Sequence, residues 1–420
     1  MSAIRKRLAG LGPGFFLLAL VPMLDACTGS NELPESTSRR FSVEETEAGL
    51  QAVNHGEPLY AGEPIITLDL AIGDESGTDE YTFSYVSQVR TDGHGRIYVN
   101  TNPVNVYDRD GVFLRSLGGE GDGPGEMRFS GSVTAWPDGT LDIVGIDGRW
   151  VRWDSDGALE FDRRPRDFMA SMNTNRLITP GGLISYSYRN PWSIAGSDTT
   201  TAYWLFKCEG DLSPTSVGAS FGKGRPNSVW NQSFEGHRLG SMLPFSTELI
   251  TAITGRGGFA IAQCDSSFVN LYDVAFHHEL TVRWETDRVP LTEEDIIIHH
   301  NLREEHFIGQ KDAQWRERTD RMLRFLLSQE YPDTKPVLQD VLIGLDGRIW
   351  VEKWGNRDLV WMVGQDRIHD YWVFTAEGEL EFECNMPFEV QASTSEYLFE
   401  AFSDGENTPQ VRRYTWRIRK

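Results

Sequence analysis

Short stretches of alternating hydrophobic and polar residues, separated by glycine-containing turns, recur along most of the chain. The clearest unit begins with segment 89–99 (VRTDGHGRIYV) and continues into 106–114 (VYDRDGVFL). Alternation of this kind is typical of strands with one buried face, and the Asp-Gly pairs supply the positive-φ positions of tight hairpins. The pattern therefore predicts several short antiparallel strands in each unit.

The unit repeats along the chain. Segments 133–144 (VTAWPDGTLDIV) and 151–159 (VRWDSDGAL) superpose on the first pair, and 341–380 is a further clear copy. Weaker copies occupy 179–212, 249–273 and 396–418. Repeats of about 40–50 residues that contain several strands are typical of propeller blades. The sequence therefore predicts an all-β fold, a six-bladed β-propeller. We expect the strand near 65–70 to complete the last blade and close the ring, which leaves only short sheet edges.

One segment departs from the strand pattern. Thr292 and Asp295 have the spacing of a helix N-cap with an acidic third residue, and apolar residues follow at helical intervals in 296–308 and 315–327. We interpret 292–330 as a helical insertion between blades 4 and 5.

The N-terminus has the features of an export signal. Basic residues at 5–7 precede the apolar stretch 15–24 (FFLLALVPML), which is too short to span a bilayer comfortably. The sequence LDAC that ends at Cys27 resembles the lipobox of bacterial lipoproteins, and this resemblance implies lipidation of Cys27. Ordinary signal-peptide cleavage nearby is the alternative. The predicted organisation is a signal peptide over 1–26, a lipid anchor and flexible tether over 27–60, and the propeller over 61–420.

Composition restricts the partners that the chain can have. The net charge is −22, and it would become −24 without residues 1–26, which carry three basic residues and one acidic residue. Such a charge disfavours nucleic acid and anionic headgroups, so membrane attachment must come from the N-terminal lipid. We expect a monomer. Cys208, Cys264 and Cys384 lack the C-x-x-C spacing of a zinc site. Two alternatives remain for them: one disulfide bond, or three buried thiols.

The repeats are similar to those of six-bladed NHL-type propellers. The similarity rests on 119–126 (GEGDGPGE), Phe129, Asp138-Gly139, 141–144 and 151–154, and it is good over 85–163 and 337–383. The resemblance extends to exported bacterial propellers that have a helical insertion before the fifth blade. It implies a fold, while such propellers serve as lyases, lactonases and binding domains alike.

Three motifs that could indicate chemistry are better explained by turns or packing. The glycine run 117–129 has no Lys and several acidic residues, so it predicts a connection between blades and not a phosphate loop. The Asp-x-Asp-Gly sequences at 108–111 and 154–157 lack the twelfth-position Glu of a calcium loop and predict hairpin turns. The pairs His277-His278 and His299-His300 predict solvated or packing side chains. His299 and His300 lie on the predicted helix, where adjacent residues diverge by about 100°, so one metal ion would rarely bind both.

Candidate channel residues by position are Asp92, Asp138, Asp346 and Glu396, and each also has a turn-forming explanation. We therefore predict no catalytic residue, metal or cofactor. The favoured function is a membrane-tethered, non-catalytic binding module for a protein or glycan of the bacterial cell envelope. The alternative is a metal-dependent hydrolase or lyase, lactonase-like, with its site in the central channel.

Overall fold

The computed structural model describes residues 40–47, 49–73, 77–127, 131–145, 149–163, 175–179, 182–188, 201–209, 213–224, 228–245, 248–306, 313–355, 368–403 and 409–419. Cys27 and the predicted signal peptide lie outside these ranges.

Strands make up most of the described chain, as the alternating pattern predicts. In the N-terminal half they are β1 Phe41–Thr46, β2 Gly49–Asn54, β3 Pro64–Ile72, β4 Gln88–Thr91, β5 Ile97–Asn100, β6 Val104–Tyr107, β7 Phe113–Leu117, β8 Ser132–Ala135, β9 Leu141–Val144, β10 Trp150–Trp153, β11 Leu159–Arg163, β12 Asn175–Thr179, β13 Gly182–Tyr188, β14 Thr201–Glu209 and β15 Ser213–Gly224. In the C-terminal half they are β16 Ser228–Phe234, β17 His237–Met242, β18 Leu249–Ile253, β19 Phe259–Gln263, β20 Phe268–Tyr272, β21 His278–Trp284, β22 Leu338–Ile343, β23 Ile349–Lys353, β24 His369–Phe374, β25 Leu380–Met386, β26 Ala392–Ser393, β27 Tyr397–Phe402 and β28 Gln410–Ile418. Two helices follow β21, α1 Glu293–His306 and α2 Ala313–Leu327, and a single 3-10 turn occupies Asp79–Tyr81.

The sheets form a β-propeller. Within the described residues, five sheets have four strands each: β4–β7, β8–β11, β12–β15, β22–β25, and β26–β28 with β3. A six-stranded sheet combines β18–β21 with β2 and β1, and β16 and β17 form a separate hairpin. Successive strands pair antiparallel, because hairpin turns join them.

The first strands of consecutive sheets lie side by side. β4 contacts β8, β8 contacts β12, β12 contacts β18, β18 contacts β22, β22 contacts β26, and β26 contacts β4. These are the innermost strands, and they surround the centre of the propeller.

The hydrophobic core lies between neighbouring sheets. Val106 and Trp153 belong to one cluster between the first two sheets, and Trp284 and Phe374 belong to another between the six-stranded sheet and β22–β25. Middle strands such as β5 and β9 are buried along their whole length. Each sheet therefore covers the face of the next, and stacking buries what one sheet could not bury alone.

The segment 40–72, which we call the N-terminal strap, joins three sheets. β2 pairs in parallel with β21, the N–H groups of Leu59 and Tyr60 donate to carbonyls of β25, and β3 pairs antiparallel with β28. The prediction of a flexible tether over 27–60 is therefore corrected for 41–54. These residues form strands because the free edge of β21 supplies hydrogen bonds and a site where Ala52 is fully buried.

The insertion contains the helices α1 and α2. At the start of α1, Asp295 Oδ2 accepts a hydrogen bond from the Thr292 N–H at 3.0 Å, and Thr292 Oγ1 accepts one from the Asp295 N–H at 3.3 Å, which is the capping box that the spacing predicts. Both helices pack against the β16–β17 region through a cluster that includes Phe245, Ile296 and Phe325. Within the described part of the chain, no helix is long and apolar enough to cross a membrane.

Candidate functional site

A cavity of about 580 Å³ lies at the centre of the propeller. Residues of β4, β8, β18, β22 and β26, together with residues directly before or after these strands, line it. We call it the channel cavity. Four of the described lining residues are charged, Arg90, Glu248, Asp340 and Glu389, and hydroxyl groups of Thr91, Ser132, Thr251 and Ser393 add further polar character. A volume of this size is typical of small-molecule sites.

Arg90 is the one cation among the described lining residues of the channel cavity. Its Nε donates to the Val133 carbonyl at 3.2 Å, and its Nη1 donates to the carbonyls of Val89 and Gln391, both at 2.9 Å. These acceptors come from β8, from the residue directly before β26 and from β4 itself. The guanidinium is therefore held in one orientation by backbone groups.

The second terminal nitrogen of Arg90, Nη2, has no hydrogen-bond partner among the described residues. No described carboxylate forms an ion pair with this side chain. Burial at the centre of the protein lowers the pKa of Arg90 below its ordinary value, and the negative charges of Asp340 and Glu389 oppose that shift. Asp340 and Glu389 therefore interact electrostatically with Arg90, although neither forms an ion pair with it.

Two buried hydroxyl groups of the lining residues make no hydrogen bond within the described part of the chain. They are the Oγ1 of Thr91 and the Oγ of Ser393. Both residues line the channel cavity, and they are 4% and 1% exposed.

The structure gives Asp92 a structural role. Asp92 is 2% exposed, and its Oδ1 accepts hydrogen bonds from the N–H groups of His94 and Arg96, both at 2.9 Å. Its Oδ2 accepts from Arg96 Nε at 2.7 Å and from the Tyr98 hydroxyl at 2.9 Å. The carboxylate is fully used by its own turn and does not line the channel cavity.

The other three candidates chosen by position are also at turns. Asp138 Oδ1 accepts from the Thr140 N–H at 2.9 Å, and Asp346 pairs with Arg348 at 2.5 Å. Glu396 is exposed in the turn before β27. None of these side chains is among the described lining residues of the channel cavity. The turn-forming explanation of these residues agrees with their contacts.

The described part of the glycine run, 117–127, connects β7 to β8. The Gly123 N–H donates to Glu126 Oε2 at 2.8 Å, and the Gly125 N–H donates to Asp162 Oδ2 at 2.7 Å. Carboxylates of the protein thus occupy the backbone donors that a phosphate loop would offer to its ligand. The run serves as a connection between sheets, as its lack of Lys predicts.

The Asp-x-Asp-Gly sequences form hairpin turns. The Oδ1 of Asp108 accepts hydrogen bonds from the backbone N–H groups of Asp110 and Val112, both at 2.9 Å, and Asp154 does the same with the N–H groups two and four residues later. Within the described residues, no group of three or more His, Cys, Asp or Glu side chains is arranged to hold one metal ion.

The histidine pairs have separate environments. His277 is exposed, and its Nδ1 lies 3.0 Å from Asp273 Oδ2. His278 lies on β21, where burial lowers its pKa below the ordinary value. His299 and His300 are buried in α1, and burial lowers the pKa of His300 as well.

Two of the cysteines are buried thiols. Cys264 and Cys384 are each 3% exposed, and burial raises the pKa of the Cys264 thiol to about 12. The side chain of Cys208 lies outside the described residues, so the choice between one disulfide and three thiols stays a prediction for that residue.

Sequence reasoning missed Arg90, Asp340 and Glu389. The one available signal was the repeat alignment, in which Arg90 occupies the position of Thr134 in the next unit. A long cation in the middle of an inner strand is unusual where neighbouring units carry small or apolar residues.

No family model matches the chain, and no curated protein matches it. Among solved structures, a protein of Bacteroides fragilis described as exported is 12% identical, with a TM-score of 0.46, and the match covers 85% of this chain and 96% of that chain. A streptogramin B lyase is 7% identical, with a TM-score of 0.39 and coverage of 84% and 98%. A catalytically inactive variant of virginiamycin B lyase from Staphylococcus aureus, solved with quinupristin, is 9% identical, with a TM-score of 0.38 and coverage of 84% and 99%. Similarities of this size carry no functional inference for this chain.

Proposed function

We propose that the protein is a membrane-tethered, six-bladed β-propeller of the bacterial cell envelope that binds its ligand in the channel cavity without changing it chemically. The single observation that carries this proposal is the cavity of about 580 Å³ at the centre of the sheets, where Arg90 is fixed by three carbonyl groups. Rigid polar groups that converge on a concave site are typical of ligand-binding pockets.

Six blades and a closed ring are supported by two features. In the six-stranded sheet, β18–β21 correspond to one four-stranded blade, and β2 and β1 extend its outer edge. Together with the five four-stranded sheets, this gives six blades. The inner strands follow one another from β4 to β26, and β26 returns to β4. In this arrangement the pairing of β3 with β28 joins the two ends of the propeller, and closure removes the sheet edges that would otherwise aggregate.

Envelope location and lipid tethering are supported by the N-terminal sequence, which has a basic start, an apolar stretch and Cys27 in a lipobox-like setting. Replacement Cys27→Ser should abolish incorporation of a labelled fatty acid when the full chain is expressed in a bacterial host. It should also move the protein from the membrane fraction. Unchanged labelling would refute the tether while leaving the channel function untouched.

Binding in the channel cavity can be tested on the full chain purified in detergent. After denaturation, mass spectrometry should recover a small molecule that co-purified with the wild type. Ser132→Trp fills the cavity from an exposed lining position, whereas Ser84→Trp introduces the same side chain at an exposed position that is not among the described lining residues. We expect the compound with Ser84→Trp and its loss with Ser132→Trp. Equal recovery from both variants would contradict binding in the channel. Conversion of the compound on incubation would favour the hydrolase or lyase alternative.

A further inference from the structure

We propose that the helical insertion belongs to a separate unit that opens in mild acid, because the buried His300 on α1 can take up a proton only when the contact between α1 and α2 is released. The unit, which we call the cap, consists of β16, β17, residues 243–245, α1 and α2. The proposal makes no use of the channel cavity, so its outcome is independent of the proposed binding function.

The cap has a hydrophobic core of its own. Its fully buried members are Leu243, Phe245, Ile296, Phe325 and Leu326. None of them belongs to the described clusters that lie between neighbouring sheets. Loss of packing inside the cap therefore leaves the contacts between the blades in place.

Backbone hydrogen bonds join the two ends of the insertion. The Leu291 N–H donates to the Asp333 carbonyl at 3.0 Å, and the Lys335 N–H donates to the Val289 carbonyl at 2.8 Å. These bonds close the insertion at its base, next to the propeller. Because the base is closed and the core is separate, α1 and α2 can move apart in a local opening, without unfolding of the sheets.

His300 lies where the two helices meet. It is 2% exposed, and its Nε2 has no hydrogen-bond partner among the described residues. The ring forms a hydrogen bond with the backbone of Thr319 on α2. The hydroxyl of Thr319 also donates to Glu304 Oε2 at 3.0 Å. An imidazolium has a proton on both nitrogens, so protonation would leave the Nε2 N–H as a charged, buried donor without an acceptor.

The charged groups of α1 do not offset the cost of such a proton. Burial lowers the pKa of His300 below its ordinary 6.5, and the negative charge of Glu304 only opposes that shift. The positive charge of Arg303, and that of His299 when protonated, act in the same direction as burial. The closed cap therefore favours the neutral imidazole.

Charged side chains on the elements packed against α1 are exposed or paired. Arg316, Arg318 and Asp320 on α2 are exposed, as is His237 on β17, while the pairs are Arg321 with Glu317, Arg324 with Glu235, Lys335 with Asp295, Lys353 with Glu383 and His369 with Glu352. Hydrogen bonds from Arg324 and Lys335 lower the pKa values of Glu235 and Asp295, so both carboxylates stay ionised between pH 7.5 and pH 5.5.

Opening of the cap would be coupled to proton uptake. When α1 and α2 separate, water reaches His300 and its pKa rises toward the ordinary 6.5, so the open cap binds a proton that the closed cap does not. The closed cap is therefore most stable above about pH 7 and loses stability as the pH falls below about 6.5. One proton bound on opening raises the opening constant by up to about 10-fold between pH 7.5 and pH 5.5.

Hydrogen–deuterium exchange of the full chain, read by mass spectrometry as protection factors, measures this opening. We expect protection of peptides from 293–306 and 313–327 to fall by about 5–10-fold between pH 7.5 and pH 5.5, while peptides from β22–β25 keep theirs. His300→Gln and His300→Phe remove the titrating group and should abolish the fall. His237→Gln removes an exposed histidine of the same cap and, as the matched control, should behave like the wild type.

The wild type alone can refute the proposal, so the result does not depend on the folding of a variant. Unchanged protection of α1 and α2 would show that mild acid does not open the cap. A fall that begins only below about pH 5 would indicate a carboxylate and not a histidine. An equal fall over β22–β25 would show that the whole propeller loosens, and a fall that persists in the His300 variants would assign the proton to another group.

Discussion

Asn54 connects the N-terminal strap to two sheets through three hydrogen bonds. Its Nδ2 donates to the carbonyls of Gly378 at 2.8 Å and Arg283 at 3.0 Å, and its Oδ1 accepts from the Leu380 N–H at 2.7 Å. The side chain is 2% exposed. Water cannot readily replace these bonds, so Asn54→Ala would leave three backbone groups without partners.

The magnitude follows from the count of bonds. A net contribution of about 1 kcal/mol per hydrogen bond gives a loss of about 3 kcal/mol in the free energy of unfolding. For the roughly 310 residues that the structure describes, an unfolding entropy of about 2 cal/mol/K per residue converts this loss into a fall of about 5 °C in Tm. Asn54→Asp should lower the free energy of unfolding by at least as much. It keeps the oxygen that accepts from the Leu380 N–H, but it replaces the Nδ2 donor with a second oxygen that repels the carbonyls of Gly378 and Arg283.

Urea unfolding followed by tryptophan fluorescence, together with a thermal scan, measures both quantities on the full chain. Asn301→Ala is the matched control, since Asn301 is exposed on α1, where alanine has the higher helix propensity. We expect no loss of stability for that variant. A loss below about 0.5 kcal/mol for Asn54→Ala would refute the reasoning, because the three bonds would then be replaceable by water.

Two further predictions concern contacts of the same strap and of the helical insertion. Gly378→Ala should destabilise by about 1–3 kcal/mol, because Gly378 has φ +86° and a Cβ there would lie 2.7 Å from the Ala52 Cβ. Gly56→Ala, with φ +88° and no atom within 4 Å of the added Cβ, isolates the backbone strain, and equal losses in urea unfolding would contradict the contact argument. The hydrogen bond from Lys335 holds the pKa of Asp295 below its ordinary 3.8, so its stabilisation is present above about pH 4 and is lost as the pH falls. Asp295→Asn should therefore flatten the acid side of the stability profile, and an unchanged slope between pH 5 and pH 2 would contradict this.

Local chemistry made part of the fold predictable. The turns at Asp108 and Asp154 depend on side-chain to backbone bonds that span two to four residues, so the sequence motif specifies them directly. The same holds for Thr292 and Asp295 at the start of α1. Where a structure is fixed within a few residues, the pattern of the sequence is enough to place it.

The strands β1 and β2 were not predictable in this way. Their sequences, FSVEET and GLQAVN, contain few apolar residues and no regular alternation that would bury one face. They form because β21 offers an edge more than 200 residues away, and because Asn54 bonds to Gly378 at a separation of 324 residues. Short-range propensity carries no information about either partner.

The candidate site likewise contains residues whose role depends on local sequence and residues whose role depends on distant contacts. Asp92 was a reasonable candidate by position, yet a turn that spans Arg96 and Tyr98 uses its carboxylate completely. In the sequence, the neighbouring Arg90 lies within an alternating strand and belongs to no chemical motif. Only the packing of the inner strands around one axis brings it together with Asp340 and Glu389, and that arrangement is not encoded in any local motif.

Arg90 takes its carbonyl partners from Val133 and Gln391, which lie 43 and 301 residues away in sequence. The guanidinium can therefore be fixed only when the inner strands at both ends of the chain have come together. Asn54 contributes to that assembly from the outer side, without being among the described residues that line the cavity. A substitution there should lower the fraction of folded protein on heating but leave the affinity of the folded protein for a channel ligand unchanged. Arg90→Lys should do the reverse at a temperature where both variants are folded, so stability and binding can be separated by titration below the Tm.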